Sequence, residues 1–185
     1  GSSYMVPAYS FRTVKKDGNV TFSLNATYDG KKFNYNRTID GVESNGTVNL
    51  GKAVTYYDNN EFHQSLRTIT TFSESLSFSF AMPIVSDIEA SSVTLTARVG
   101  GKATIKNAFT ESRADLQDNG ISCYKTLVSR STEVAGLSQT LFYSVNDVTF
   151  TGWSMKHVLV RIQEPFKVDG NIYSMVYDLK SAELH

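Results

Sequence analysis

The stretch from Phe72 to Phe80 constrains the fold of this chain more than any other. Its odd positions are all serine (Ser73, Ser75, Ser77, Ser79), and its even positions read Phe72, Glu74, Leu76, Phe78 and Phe80. Side chains alternate sides along a strand, so this pattern describes one β-strand with an apolar face and a hydroxyl face. Pro83 is expected to end it, because proline has no amide hydrogen for the sheet ladder. A one-sided strand needs similarly patterned neighbours, and the rest of the chain is expected to supply them.

The best-specified neighbour is a hairpin. Val20, Phe22, Leu24, Ala26 and Tyr28 alternate with polar residues up to Asp29-Gly30, and Phe33, Tyr35 and Ile39 alternate after it. An Asp-Gly pair between alternating strands predicts a two-residue type I′ turn. Closing on it pairs Ala26 with Phe33, Leu24 with Tyr35 and Phe22 with Arg37, and sets Asn25 opposite Asn34. Only Arg37 is out of place on the apolar side.

Further strands are read from Tyr4 to Val14, Thr47 to Tyr57, Ile121 to Val128, Leu137 to Val145 and Ile172 to Leu179. Asp40-Gly41 and Asn45-Gly46 read as turns, leaving at most a short bridge over 42–44. Glu61 to Ile69 has no clear period. Val93–Val99 and Lys102–Phe109 are expected to form a hairpin at Gly100-Gly101, with one extra connecting residue to keep the faces matched. Trp153–Ile162 contains Val158-Leu159-Val160, apolar on both sides as in a central strand, and Glu164-Pro165 is expected to end it. Thr110–Asn119 is the one predicted helix, with Ser112 as a cap and Asn119-Gly120 as a stop. The resulting expectation is an all-β, antiparallel, jelly-roll-like sandwich of roughly ten to twelve strands, with at most one short helix near 110–119 and residues 1–185 in a single domain.

Composition excludes several classes. Lys+Arg and Asp+Glu are both 18, so no net field draws the chain to nucleic acid or an anionic membrane. No apolar run is long enough to span a bilayer as a helix. Gly1-Ser2-Ser3-Tyr4 lacks the charged and apolar regions of a signal peptide and reads as a processed end or an expression scar. The single Cys123 rules out an intrachain disulfide.

No catalytic or metal motif emerges, and no cofactor is implied. His63, His157 and His185 have no ligand spacing. Cys123 within a strand reads as a small buried hydrophobe rather than half of a dyad with His157. Asp58-Asn59-Asn60-Glu61 and Asp115–Asn119 hold oxygen donors but lack an EF-hand pattern, so they read as turn chemistry. The sequons at Asn25, Asn36 and Asn45 are read mainly as chance in an Asn- and Thr-rich chain.

Candidate binding residues come from two sources. Glu74 and Arg37 fall at apolar positions of strands, which implies a pair, a cleft or a strand end open to water. Tyr56, Tyr57 and Trp153 stand beside turns, where flat rings next to amides and hydroxyls suit a sugar. Three functions follow: a non-catalytic surface or extracellular module, on a cell or a virion, with a carbohydrate ligand; a structural subunit, such as a surface lipoprotein or phage-particle component, self-associating through sheet faces or edges; and an enzyme with a carboxylate pair.

Overall fold

Two Asp-Gly pairs turn the chain in the same way. In the computed structural model, which describes residues 6–52, 55–59, 61–68, 73–111, 113–130, 138–150 and 152–181, Asp17 and Gly18 have φ of 51° and 82°, and Asp40 and Gly41 have 47° and 84°. Consecutive left-handed residues make type I′ turns. These turns join β1 (Tyr9–Lys16) to β2 (Asn19–Asp29), and β3 (Lys32–Ile39) to β4 (Val42–Asn49).

Asp29-Gly30 behaves differently. Asp29 stays in the ladder opposite Lys32, so the loop is Gly30-Lys31. Only Gly30 has a positive φ there (57°), the pattern of a type II′ turn. Leu24 therefore faces Arg37 and Asn25 faces Asn36, two residues from the predicted register. Every side chain keeps its expected side of the sheet. The expected turn at Asn45-Gly46 is instead part of the eight-residue β4.

The chain folds into two compact units. One is formed by the described parts of Tyr4–Phe62 and Ser79–Leu95. Its first layer is the sheet β1-β2-β3-β4. Its second contains β5 (Thr55–Tyr56), β6 (Ser77–Val85) and the start of β7 (Ala90–Ile105), in the order β7-β6-β5. Phe22, Leu24, Ala26, Phe33, Val48 and Leu50 pack against Ala81 and Val85 between the layers. β5 runs parallel to β6, a departure from the all-antiparallel expectation.

The other unit contains the described parts of His63–Phe78 and Thr96–His185. Its elements are α2 (Ala114–Asn119), β8 (Ile121–Arg130), β9 (Gln139–Ser144), β10 (Val148–Phe150), β11 (Trp153–Met155), β12 (Leu159–Val168) and β13 (Asn171–Asp178). The label α1 belongs to the turn of helix Phe62–Ser65, at the stretch that showed no period. The main sheet runs β13-β12-β9-β8-β7, and β10 pairs with β11. Ile121, Cys123, Phe142 and Val160 of the sheet pack with Val148 and Phe150, and Leu116 and Trp153 close over them. A third Asp-Gly pair, Asp169 (φ 49°) and Gly170 (φ 83°), makes the β12–β13 turn. β6 and β7 each contribute residues to both units.

The all-β layered expectation is met, with thirteen strands among the described residues. Several boundaries are corrected. Ser73–Leu76 forms a turn closed by Leu76 N–H to Ser73 O at 3.1 Å, so only the second half of the serine-striped segment is strand; Phe72 lies outside the described residues. β6 then continues through Pro83 to Val85, and β12 through Pro165 to Val168. Each proline stands where one neighbouring strand has stopped: β5 pairs only with Phe80 and Ala81, and β9 reaches β12 only as far as Gln163. A missing amide hydrogen costs nothing on an unpaired side.

Gly100-Gly101 is not a turn, because β7 passes straight through it. Leu95, Ala97, Val99 and Ile105 share one parity and are all buried, as a single uninterrupted strand requires. The Thr47–Tyr57 segment divides into the end of β4 and β5, and the Trp153–Ile162 segment into β11 and the start of β12. The predicted helix shortens to Ala114–Asn119, stopped at Gly120 (φ 72°); its expected cap, Ser112, lies outside the described residues.

Candidate functional site

β1 breaks the patterning rule on which the rest of the sheet is built. Its register with β2 sets Ser10 opposite Ala26 and Arg12 opposite Leu24, on the side facing the core, and turns Tyr9 and Phe11 outward. Ser10 is only 6% exposed, while Tyr9 is 71% and Phe11 60% exposed. The Arg12 guanidinium lies 4.7 Å from the centre of the Phe22 ring, and its Nε has no hydrogen-bond partner among the described residues. A strand that buries its polar residues and exposes its aromatics sacrifices stability, and such local violations concentrate at functional surfaces.

The exposed rings begin two rows of side chains. Directly opposite residues in an antiparallel ladder share a face, with strands about 4.8 Å apart. One row therefore reads Phe11, Asn25, Asn36, Asn45, and the next Tyr9, Thr27, Asn34, Thr47. A third row, Thr13, Ser23, Thr38, Glu43, carries the only charge of the three. The three sequon asparagines are thus adjacent members of one exposed ladder. At that spacing three bulky glycans could not stand side by side, whereas three amides can act together. Each amide presents two N–H donors and a carbonyl acceptor. Thr47 Oγ1 donates to Asn34 Oδ1 at 2.8 Å, so neighbours within the second row also brace one another.

The underside sets small residues beside one large ring. Ser10, Ala26, Tyr35 and Gly46 form one inward row. Gly46 leaves room for the Tyr35 ring, since a Cβ there would sit 2.7 Å from the phenol oxygen. Next to this row, Arg37 donates from Nε to Ser44 Oγ (3.2 Å) and from Nη1 to the carbonyls of Glu89 (3.1 Å) and Ser86. A cavity of about 420 Å³ adjoins the edge, lined by Tyr9, Ser10, Phe11, Asp58 and Glu61 among others.

The residues singled out from the sequence lie elsewhere. Tyr57 is wholly buried, edge-on to Phe80 at 5.1 Å, and Tyr56 is half-buried and stacked on Tyr28 at 5.2 Å. Trp153 is half-buried, stacked on Phe150 at 4.6 Å. Glu74 lies in the Ser73–Leu76 turn and pairs with Lys102 Nζ at 2.7 Å, so its strand parity had no meaning. Arg37 is on the inner side as expected, and the carbonyls of Ser86 and Glu89 satisfy its charge.

Other reactive groups are committed to the fold. Asp58, 5% exposed, accepts from the Tyr28 hydroxyl at 2.9 Å, and its carbonyl accepts from the amides of Glu61 and Phe62 at the start of α1. Burial and the Asp58 carboxylate push the Tyr28 phenol far above its ordinary range, so it stays a donor. Asp115 is held by Arg113, which pulls its carboxyl below the usual value. Burial raises the Cys123 thiol to about 12, and His157 Nδ1 bonds the Ser144 carbonyl at 3.1 Å. Among the described residues no group of three or more His, Cys, Asp or Glu could hold a metal ion, and no helix is long and apolar enough to cross a membrane.

The chain matches no protein-family model, and no curated protein and no solved structure is significantly similar to it. Tyr9 and Phe11 do not stand out in the sequence because Tyr4 to Val14 reads only as a first strand, with no face assigned to its rings. The signal for the face was present in another form: three N-x-T triplets, each beginning on the same side of an alternating strand.

Proposed function

We propose that the protein is a non-catalytic recognition module at a cell or particle surface, and that the outer face of β1-β2-β3-β4 binds a neutral carbohydrate chain. The observation that carries this reading is the inversion of β1, which sets Phe11 and Tyr9 at the head of the Asn25-Asn36-Asn45 and Thr27-Asn34-Thr47 rows. Aromatic rings stack on the apolar face of a sugar, while amides and hydroxyls serve its ring of hydroxyls. The rows headed by Phe11 and Tyr9 are uncharged, which suits a neutral glycan. An open face four strands wide suits an extended polymer better than a small enclosed ligand. The cavity beside Tyr9 and Phe11 offers one sugar deeper seating against Asp58 and Glu61. A buried, protonated Cys123 thiol supports recognition over nucleophilic catalysis.

A neutral-glycan array followed by calorimetric titration tests the reading. Binding that weakens at least tenfold in both Phe11→Ala and Asn36→Ala supports it. Absence of binding across the array, or binding unchanged in both variants, overturns it.

A further inference from the structure

A second surface, in the other unit, has a different character. β13 stands at the end of its sheet, and its outer edge pairs with no described strand. Ile172, Tyr173, Met175, Val176 and Tyr177 are each 45–50% exposed, so apolar side chains emerge on both sides of one strand. Phe166 and Val168 of β12 are exposed beside them, with Phe166 stacked on Tyr173.

Edge strands are normally guarded against pairing by lysines, prolines, bulges or short length. β1 follows that rule, with Arg12, Lys15, Lys16 and a register shift after Val14. β13 is eight residues long, pairs with β12 without a register shift, and carries no charge from Asn171 to Tyr177. Its only charged residue, Asp178, is paired with Arg161 Nε at 2.6 Å.

We propose that β13 pairs antiparallel with β13 of a second copy of this chain, about a twofold axis through Ser174. Two observations favour a copy over another partner. The stretch from Asn171 to Tyr177 is uncharged and Asp178 is neutralised by Arg161, so the strand meets itself without like-charge repulsion. In addition, a register centred on Ser174 sets Ile172 against Val176 and Tyr173 against Met175, each twice, with the small serine at the axis. Centring on Met175 instead would set Ile172 against Asp178, and centring on Tyr173 would set Val176 against Gly170 and Tyr177 against Asp169. Edge pairing covers only the flanks of these side chains and leaves both faces of the extended sheet open, so the interface stays below the roughly 1,000 Å² of a stable complex. The dimer is therefore a weak one.

Sedimentation velocity from low micromolar to several hundred micromolar tests the association, and cysteine cross-linking tests the register. The native chain is expected to shift from monomer to dimer with concentration. Val176→Lys, which places two cations against the Ile172 pair, is expected to stay monomeric with an unchanged circular dichroism spectrum. Ser174→Cys is expected to form a disulfide-linked dimer under mild oxidation at least tenfold faster than Asn171→Cys, whose twofold mate is Tyr177; Cys123 is buried and does not compete. A native chain monomeric throughout, or equal cross-linking of the two cysteine variants, overturns the proposal. Glycan binding at β1–β4 is read by a separate titration, so either conclusion can fail without the other.

Discussion

Tyr35 occupies the space that a side chain on Gly46 would need: a Cβ at Gly46 would lie 2.7 Å from the Tyr35 phenol oxygen and 2.9 Å from its Cζ. The two residues are directly opposite on β3 and β4. Glycine within a strand costs about 0.5–1 kcal/mol relative to alanine, whereas overpacking costs about 1–3 kcal/mol. Gly46→Ala is therefore expected to destabilise the native chain, by about 1 kcal/mol, in urea unfolding. In a Tyr35→Ala background the same substitution is expected to stabilise. A double-mutant cycle without this change of sign would show that the contact does not govern the site.

Removing the exposed rings separates binding from folding. Phe11 makes little contact with the core, so Phe11→Ala is expected to lower stability by less than about 0.5 kcal/mol. Phe22, on the buried side of the same sheet, is expected to cost about 3–5 kcal/mol when truncated to alanine. Thermal unfolding of the two variants side by side checks the assignment of inner and outer faces. A large loss from Phe11→Ala would mean that β1 is inverted for packing rather than for contact with a ligand.

His63 gives the fold a pH dependence whose sign is fixed. Burial lowers its pKa, and the hydrogen bond that His63 Nε2–H donates to Gln139 Oε1 and the nearby Glu164 carboxylate offset this only in part. With the folded value below the unfolded one, the unfolded chain takes up a proton first as pH falls. The stabilisation from neutral His63 is thus fully present above about pH 6.5 and is lost as pH drops toward the folded value. Melting temperatures are expected to fall between pH 7 and pH 5, and His63→Gln is expected to flatten that slope.

Cys123 is expected to report global unfolding. Its thiol is buried and raised to about 12, so almost no thiolate exists at pH 8 in the folded chain. Modification by a water-soluble thiol reagent is expected to be at least a hundredfold slower than in urea-denatured protein. Its rate should follow the unfolding equilibrium as urea rises. Rapid modification under native conditions would show that β8 opens locally.

Alternation alone makes the faces of the sheets legible in the sequence. Phe22, Leu24, Ala26 and Phe33 point inward as their period requires. The same period could not fix the pairing: sliding one strand by two residues leaves every side chain on its original side, so a turn at Asp29-Gly30 and a turn at Gly30-Lys31 satisfy the pattern equally. Glycine and proline misled for a related reason. They mark places where a sheet tolerates a missing side chain or a missing amide hydrogen, and Gly100, Pro83 and Pro165 occupy such places inside strands. Leu127 Cδ1 would meet a Cβ on Gly100 at 3.1 Å, so that glycine serves close packing rather than a turn. The candidate site was the least legible part, because β1 contradicts its own patterning. Tyr56, Tyr57 and Trp153 were chosen for standing near turns, and a residue near a turn is as free to point into a core as out of it.

The two units also share their strands in a way that bears on inheritance. The boundary between them falls inside β6, between Phe78 and Ser79, and again inside β7, between Leu95 and Thr96. No single cut in the gene releases either unit as a continuous stretch, and every excision severs two strands in mid-ladder. A fragment that carries only one unit therefore ends inside β6 or β7, and is expected to expose an unpaired strand at the cut.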